Sequence, residues 1–216
     1  MTGAPHLYII TDRHACLGRP LPAVIAEALA GAGSAIRAGA RVAVQLREKD
    51  LDARPLLTLA RMLRALTADA GAELFINDRV DVALAVGADG VQLGGRSLTA
   101  ADVFTVAPTL PVAVSLHRPD EVVAAKRNPN VTFGVFSPVY PTPKKTPAVG
   151  LDGPFGLRAA CQAAGALPVL ALGSIGPEKL PECLAAGAVG VACIRAVLSA
   201  TNPNNVVSQF MISSGF

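Results

Sequence analysis

The chain has no tryptophan, two tyrosines and seven phenylalanines, so aromatic residues make up only 4% of its 216 positions. That is too few rings to build the stacking platform on which nucleic-acid binders lay bases. Charge is scarce as well. Charged residues make up 16%, the formal net charge is +3, and no run of lysine or arginine occurs. The electrostatic stripe of a nucleic-acid partner is therefore missing. Long apolar runs are absent too: although 51% of residues are hydrophobic, none of the windows is long and uninterrupted enough to span a membrane. The opening MTGAPHLYIITD has neither the basic nor the apolar region of a secretory leader, and the expectation is a soluble, cytoplasmic protein. Cys16, Cys161, Cys183 and Cys193 show no CxxC pairing and no zinc-ligand spacing. They read as small, reduced core residues.

What is present is a strict alternation. Short β-branched runs stand at 7–11 (LYIIT), 41–47 (RVAVQLR), 73–77 (ELFIN), 90–94 (GVQLG), 111–116 (PVAVSL), 131–136 (VTFGVF), 168–173 (PVLALG) and 190–194 (GVACI). Between them lie helical windows such as 54–70 and 177–187, several of which stop at Gly-Ala before the next strand (Gly39, Gly87, Gly187). Strands alternating with helices pair in parallel. Eight such units predict one α/β domain over 1–216, a closed (β/α)8 TIM barrel with its core at about 7–197 and a short final helix and frayed end at 198–216. The open doubly wound sheet competes, but no GxGxxG follows the first strand.

In such barrels the active site forms at the carboxyl ends of the strands. Those ends carry Thr11-Asp12-Arg13, Gln45-Arg47-Lys49, Asn77-Asp78-Arg79, Gln92-Gly94, Ser115-His117, the segment 137–153, Gly173-Ser174 and Arg195. The segment SPVYPTPKKTPAVGLDG is long enough for a lid, with Thr142, Lys144 and Lys145 closing on a phosphate; the alternative is a proline-stiffened loop facing water. Gly173, Ser174 and Gly176 suit backbone binding of an anion, and Arg195 offers a fork that matches a phosphate; their alternatives are a tight turn and a surface residue. Asp78 could ligate Mg²⁺ or, with Asn77, cap the next helix. Asp81 reads as a first-turn acid. His117 stands at a strand end as a candidate proton carrier, whereas His6 and His14 do not. A Ser-His-Asp arrangement and a Walker loop are both missing, which leaves a site for phosphorylated small molecules.

The stretches LYIITDR, VQLREKD, FINDRVDVALAVGADGVQLG, VSLH, FSPVYPTPKK and ALGSIGPEKLPECLAAGAVGVA together resemble the thiamine phosphate synthase/TenI family of (β/α)8 barrels. The resemblance implies an enzyme of thiamine biosynthesis that joins hydroxymethylpyrimidine diphosphate to hydroxyethylthiazole phosphate through a pyrimidine carbocation, releasing pyrophosphate. It implies Gln45, Arg47 and Lys49 at the diphosphate, Asn77 at pyrimidine or diphosphate, and Asp78 on Mg²⁺. Ser115, Thr142 and Lys145 would contact phosphate groups, Gly173 and Ser174 would surround the thiazole phosphate, and a homodimer is left open.

Three departures qualify this. Where the family commonly has GVHLGQxD the chain has GVQLGGRS, so Gln92 replaces a histidine, Gly95 a glutamine and Ser97 a second metal-binding aspartate. The lid has Thr142-Pro143-Lys144-Lys145 in place of T-x-T-K. Ser174 replaces a glycine and Arg195 a serine. Two alternatives stay open: the metal-free TenI-like tautomerisation of a thiazole carboxylate phosphate with His117 as acid/base, and a non-catalytic barrel that binds thiazole phosphate.

Overall fold

The computed structural model describes residues 3–142 and 148–216. Among these, eight strands run β1 (Leu7–Ile10), β2 (Val42–Leu46), β3 (Glu73–Asn77), β4 (Gly90–Leu93), β5 (Val112–Leu116), β6 (Phe133–Phe136), β7 (Val169–Leu172) and β8 (Gly190–Cys193). They pair in parallel and in chain order, and β8 returns to β1 to close the barrel. Each strand lies within two residues of the expected bounds at either end. The helices are α1 (Leu21–Arg37), α2 (Ala53–Ala70), α3 (Val80–Val86), α4 (Ala100–Val106), α5 (Pro119–Lys126), α6 (Leu157–Ala164), α7 (Leu180–Ala185), α8 (Arg195–Leu198) and α9 (Pro203–Ser213). None of the described helices is long and apolar enough to cross a membrane.

Strand alternation divides the core in two. Outward side chains such as Leu7, Val44, Leu74 and Ile76 pack against the helices, while Tyr8, Phe75 and Phe133 fill the barrel. Those three rings meet edge to face with centroids 5.5 to 5.7 Å apart, the arrangement that ring quadrupoles favour. The protein's few aromatics thus form a solid floor. The Gly-Ala stops are real: Gly39, Gly87 and Gly187 have φ of 101°, 60° and 103°.

One expectation is corrected. The window 177–187 opens as a 3-10 turn (Pro177–Lys179) and becomes α-helical only from Leu180. Pro181 lacks an N–H and fits only a first turn, so the helix must begin beside it. The final helix expected in the tail is present as α9. Asn202 caps α9 by accepting from the Asn205 amide at 3.0 Å, and Val207, Phe210 and Met211 are buried as α9 packs on α1.

Candidate active site

The last inward side chain of each strand stands above the aromatic floor and lines a cleft of about 800 Å³ at the carboxyl ends. These eight residues divide by type. Gln45, Asn77, Gln92 and Ser115, from β2 to β5, form a polar half. Val135, Leu172, Ala192 and Ile10, from β6, β7, β8 and β1, form an apolar half. In the polar half the Gln45 amide donates to the Tyr8 hydroxyl at 3.1 Å, and burial pushes the Tyr8 phenol upward so that it keeps its proton. Gln92 Nε2 donates to Ser115 Oγ at 3.2 Å and to the Leu93 carbonyl at 3.4 Å. Its Oε1 is buried and meets no donor among the described residues.

Beyond β2 come three charges in a row, and alternation separates them. Glu48, with its side chain 2% exposed, faces away from the cleft. It accepts from the Arg13 amide at 3.0 and 3.2 Å and from the Arg13 guanidinium at 3.1 Å. Asp50 grips the same guanidinium at 2.5 and 2.6 Å. Arg13, expected at the mouth, is therefore drawn into a clamp between the first two loops, because two carboxylates outcompete an open cleft for it. Arg47 and Lys49, on either side of Glu48, line the cleft. Neither has an ion-pair partner among the described residues. Gln45 lies lower, in the wall beneath these cations.

On the opposite rim the chain turns sharply after β7. Gly173 has φ 129°, and a Cβ there would come 2.8 Å from the Val139 nitrogen, so only glycine lets the two loops cross. Ser174 is left-handed at φ 48°. Its hydroxyl donates to the Pro141 carbonyl at 2.6 Å, and Lys179 Nζ donates to the Ser174 carbonyl at 3.0 Å. The Ser174 side chain is thus spent on joining the loops, and what this turn offers the cleft is backbone. Among the described residues no acceptor meets the N–H groups of Ser174, Ile175 and Gly176. Arg195, at the start of α8, lines the cleft beside them and has no ion-pair partner among the described residues. Thr142 also lines it, while Lys144 and Lys145 lie outside the described residues. The base of their loop is stitched to β7 by Val139 N donating to the Leu172 carbonyl at 2.9 Å.

Asp78 is left-handed at φ 63° and does not cap a helix, since α3 has Arg79 at its N-cap without a side-chain bond. Its carboxylate accepts from Asn77 Nδ2 at 2.7 Å and from the Ser97 hydroxyl. Asp81 is a first-turn acid that pairs with Arg79 at 2.6 Å, which lowers its pKa. Ser97, which also accepts from the Gly94 amide at 2.6 Å, ties the β3 and β4 loops where a second carboxylate was noted as missing. No cluster of three His, Cys, Asp or Glu suited to a metal occurs among the described residues. One carboxylate and one hydroxyl are a thin shell for a resident ion. They fit Mg²⁺ only where substrate phosphate oxygens complete the coordination.

His117 lines the cleft. Its Nδ1 lies 2.7 Å from the Ser137 carbonyl, which can only accept, so in the neutral ring Nδ1 carries the proton and Nε2 is the free acceptor. Among the candidates, Gln45, Arg47, Lys49, Asn77, Ser115, His117, Thr142, Gly173, Ser174 and Arg195 are brought to one cleft; Asp78 sits just behind it. The apolar half of the ring and the anchoring role of Glu48 were missed. Counting every second residue back from each strand tip would have found the apolar half; the role of Glu48 depends on Arg13, 35 positions away.

A family model described as thiamine monophosphate synthase matches residues 7–197. A relative from Geobacter sulfurreducens, named provisionally as a thiamine-phosphate synthase, is 48% identical over 201 residues, covering 91% of this chain and 88% of its own. Thiamine-phosphate synthase of Moorella thermoacetica is 39% identical over 91% of this chain and 89% of its own. Among solved structures, thiamine phosphate pyrophosphorylase from Pyrococcus furiosus superposes with a TM-score of 0.83 at 33% identity, covering 96% of this chain and 94% of that one.

Proposed function

The chain belongs to the thiamine monophosphate synthase family, and from that premise we propose how its cleft carries the reaction. The activity is the condensation of a pyrimidine with a thiazole that gives the family its name. The observation that carries the assignment of residues is the division of the ring, with cations over the polar half and backbone amides over the apolar half that have no partner among the described residues. Hydroxymethylpyrimidine diphosphate lies against Gln45, Asn77, Gln92 and Ser115 with its diphosphate on Arg47 and Lys49. The hydroxyethylthiazole phosphate lies against Val135, Leu172, Ala192 and Ile10 with its phosphate on the 174–176 amides and Arg195.

The methylene C–O bond breaks, and its electron pair leaves with pyrophosphate. The thiazole nitrogen then gives its lone pair to the methylene carbon, forming the C–N bond with no net proton transfer. Cations fixed over a partly dry cleft stabilise the departing charge more than water can. Asp78 and the Ser97 hydroxyl would hold Mg²⁺ together with the diphosphate, and the ion would supply further positive charge there. The test is pyrophosphate release by purified protein given both substrates, with and without Mg²⁺. Release that requires both substrates supports the reading. No release under any condition refutes it.

A second reading, a thiazole tautomerase, rests on His117, which lines the cleft and whose Nε2 has no partner among the described residues. It requires proton exchange on a thiazole carboxylate phosphate that survives chelation and is lost in His117→Gln.

A further inference from the structure

Gln92 is 2% exposed and its Oε1 has no donor among the described residues, although the residue lines the cleft. The orientation of the amide is set by its neighbours. The Leu93 carbonyl can only accept, so the nitrogen must face it, and rotating the amide would set two oxygens together. A buried acceptor left unpaired is unfavourable, and in a ligand cleft it marks where a donor is expected.

Which donor follows from the substrates, so this step rests on the synthase reading. The phosphate groups are acceptors near neutral pH, and the thiazole ring has no N–H. The exocyclic amine of the aminopyrimidine is the one N–H donor that either substrate brings. We infer that Gln92 Oε1 accepts a hydrogen bond from that amine and is a specificity-determining residue for the pyrimidine. The contact lies on β4, beside Asn77 on β3. It turns the amine edge of the ring toward the β4 wall. Ser115, which takes the other end of the Gln92 amide at 3.2 Å, is the positioning residue for it.

The experiment measures dissociation constants, without thiazole phosphate, for the aminopyrimidine diphosphate and for its analogue with hydrogen in place of the amine. Wild type should prefer the amine by roughly tenfold, the order expected when a paired acceptor becomes unpaired. Gln92→Met should lose nearly all of that preference. Gln92→Leu should lose it as well, and the wild-type preference, which needs no variant, decides the matter if neither variant folds. No preference in wild type, or an undiminished preference in Gln92→Met or Gln92→Leu, overturns the inference. Pyrophosphate release by wild type is recorded alongside. Its absence strikes the synthase reading, whereas turnover with an unselective Gln92 strikes only the present inference.

Discussion

Replacing Glu48 by alanine tests whether the cations of the rim depend on a carboxylate that never touches substrate. Glu48 is buried and accepts three hydrogen bonds from Arg13, two from the amide and one from the guanidinium. Bonds to a charged acceptor contribute about 1.5–3 kcal/mol each in favourable cases. The sum is discounted here for two reasons. Arg13 is 32% exposed and still keeps Asp50, so its charge is not stranded, and a solvated pair is worth little. A net loss of about 2 kcal/mol remains, mostly from the buried amide left without an acceptor. For a chain of this length each kcal/mol moves Tm by roughly 2–4 °C, which puts the expected drop at about 4–8 °C.

The functional consequence is sharper. Arg47 and Lys49 flank Glu48 on one backbone, and freeing that backbone lets both cations swing. KM for the pyrimidine diphosphate should rise roughly tenfold, since misplacement by about an ångström is costly where charge must be held in register. KM for the thiazole phosphate, bound on the opposite rim, should stay near wild type. Thermal melting and steady-state pyrophosphate release with each substrate varied in turn supply the readout. A variant that melts like wild type, or one whose two KM values rise together, refutes the reasoning.

Lys49→Ala and Arg47→Ala should each lower kcat/KM by about 100-fold or more, because each removes a fixed positive charge from where the leaving group's negative charge develops; single-turnover rates check this. Ser97→Asp puts back a second carboxylate beside Asp78 and should lower the Mg²⁺ concentration for half-maximal activity, with a matching gain in Mg²⁺-dependent melting temperature. Gly31→Ala on α1 should destabilise by about 1–2 kcal/mol despite alanine's better helix propensity, since its Cβ would come 2.1 Å from the Asn204 carbonyl at the start of α9; denaturant unfolding measures it. Burial pushes the Cys193 thiol up to about 12 from an ordinary value of 9.0. Folded protein should therefore resist alkylation there at pH 8. Because the unfolded chain releases this proton first, the contribution opposes folding as pH rises from about 9 to about 12, and Tm should fall across that window.

The barrel was legible because alternation of strand and helix admits few topologies, and each strand sits where its β-branched run does. The cleft was legible in part for the same reason: once β2 ends at Leu46, residues 47–49 can only stand at its mouth. What could not be read was direction. VQLREK gives no sign that Glu48 faces Arg13 while its neighbours face the cleft, since that depends on a partner 35 positions away. Arg13 looked like a mouth residue for lack of that knowledge. Ser174 looked like a phosphate ligand, yet its hydroxyl reaches Pro141, 33 residues back. Asn202 and Pro203 spell out a helix start in the tail, and the short final helix expected there begins at that point.

On the mechanism proposed above, a divided ring answers a requirement of the chemistry. Two anionic substrates would lie side by side without their charges meeting, and the cation formed between them would have to survive until the intended nitrogen reached it. The β2-rim cations and the β7–β8-rim amides, which have no partner among the described residues, would then hold the two phosphate ends at opposite edges of an 800 Å³ cleft. The wall around the reacting carbon then matters for what it withholds. It presents amides, a hydroxyl and aliphatic side chains. The one cysteine that borders the cleft among the described residues, Cys193, belongs to the helix-facing core and is held in the unreactive neutral form by burial. A lysine or thiolate in that ring would compete for the methylene carbon, so confining the cations to the loops above the strands protects the intermediate as well as binding the leaving group.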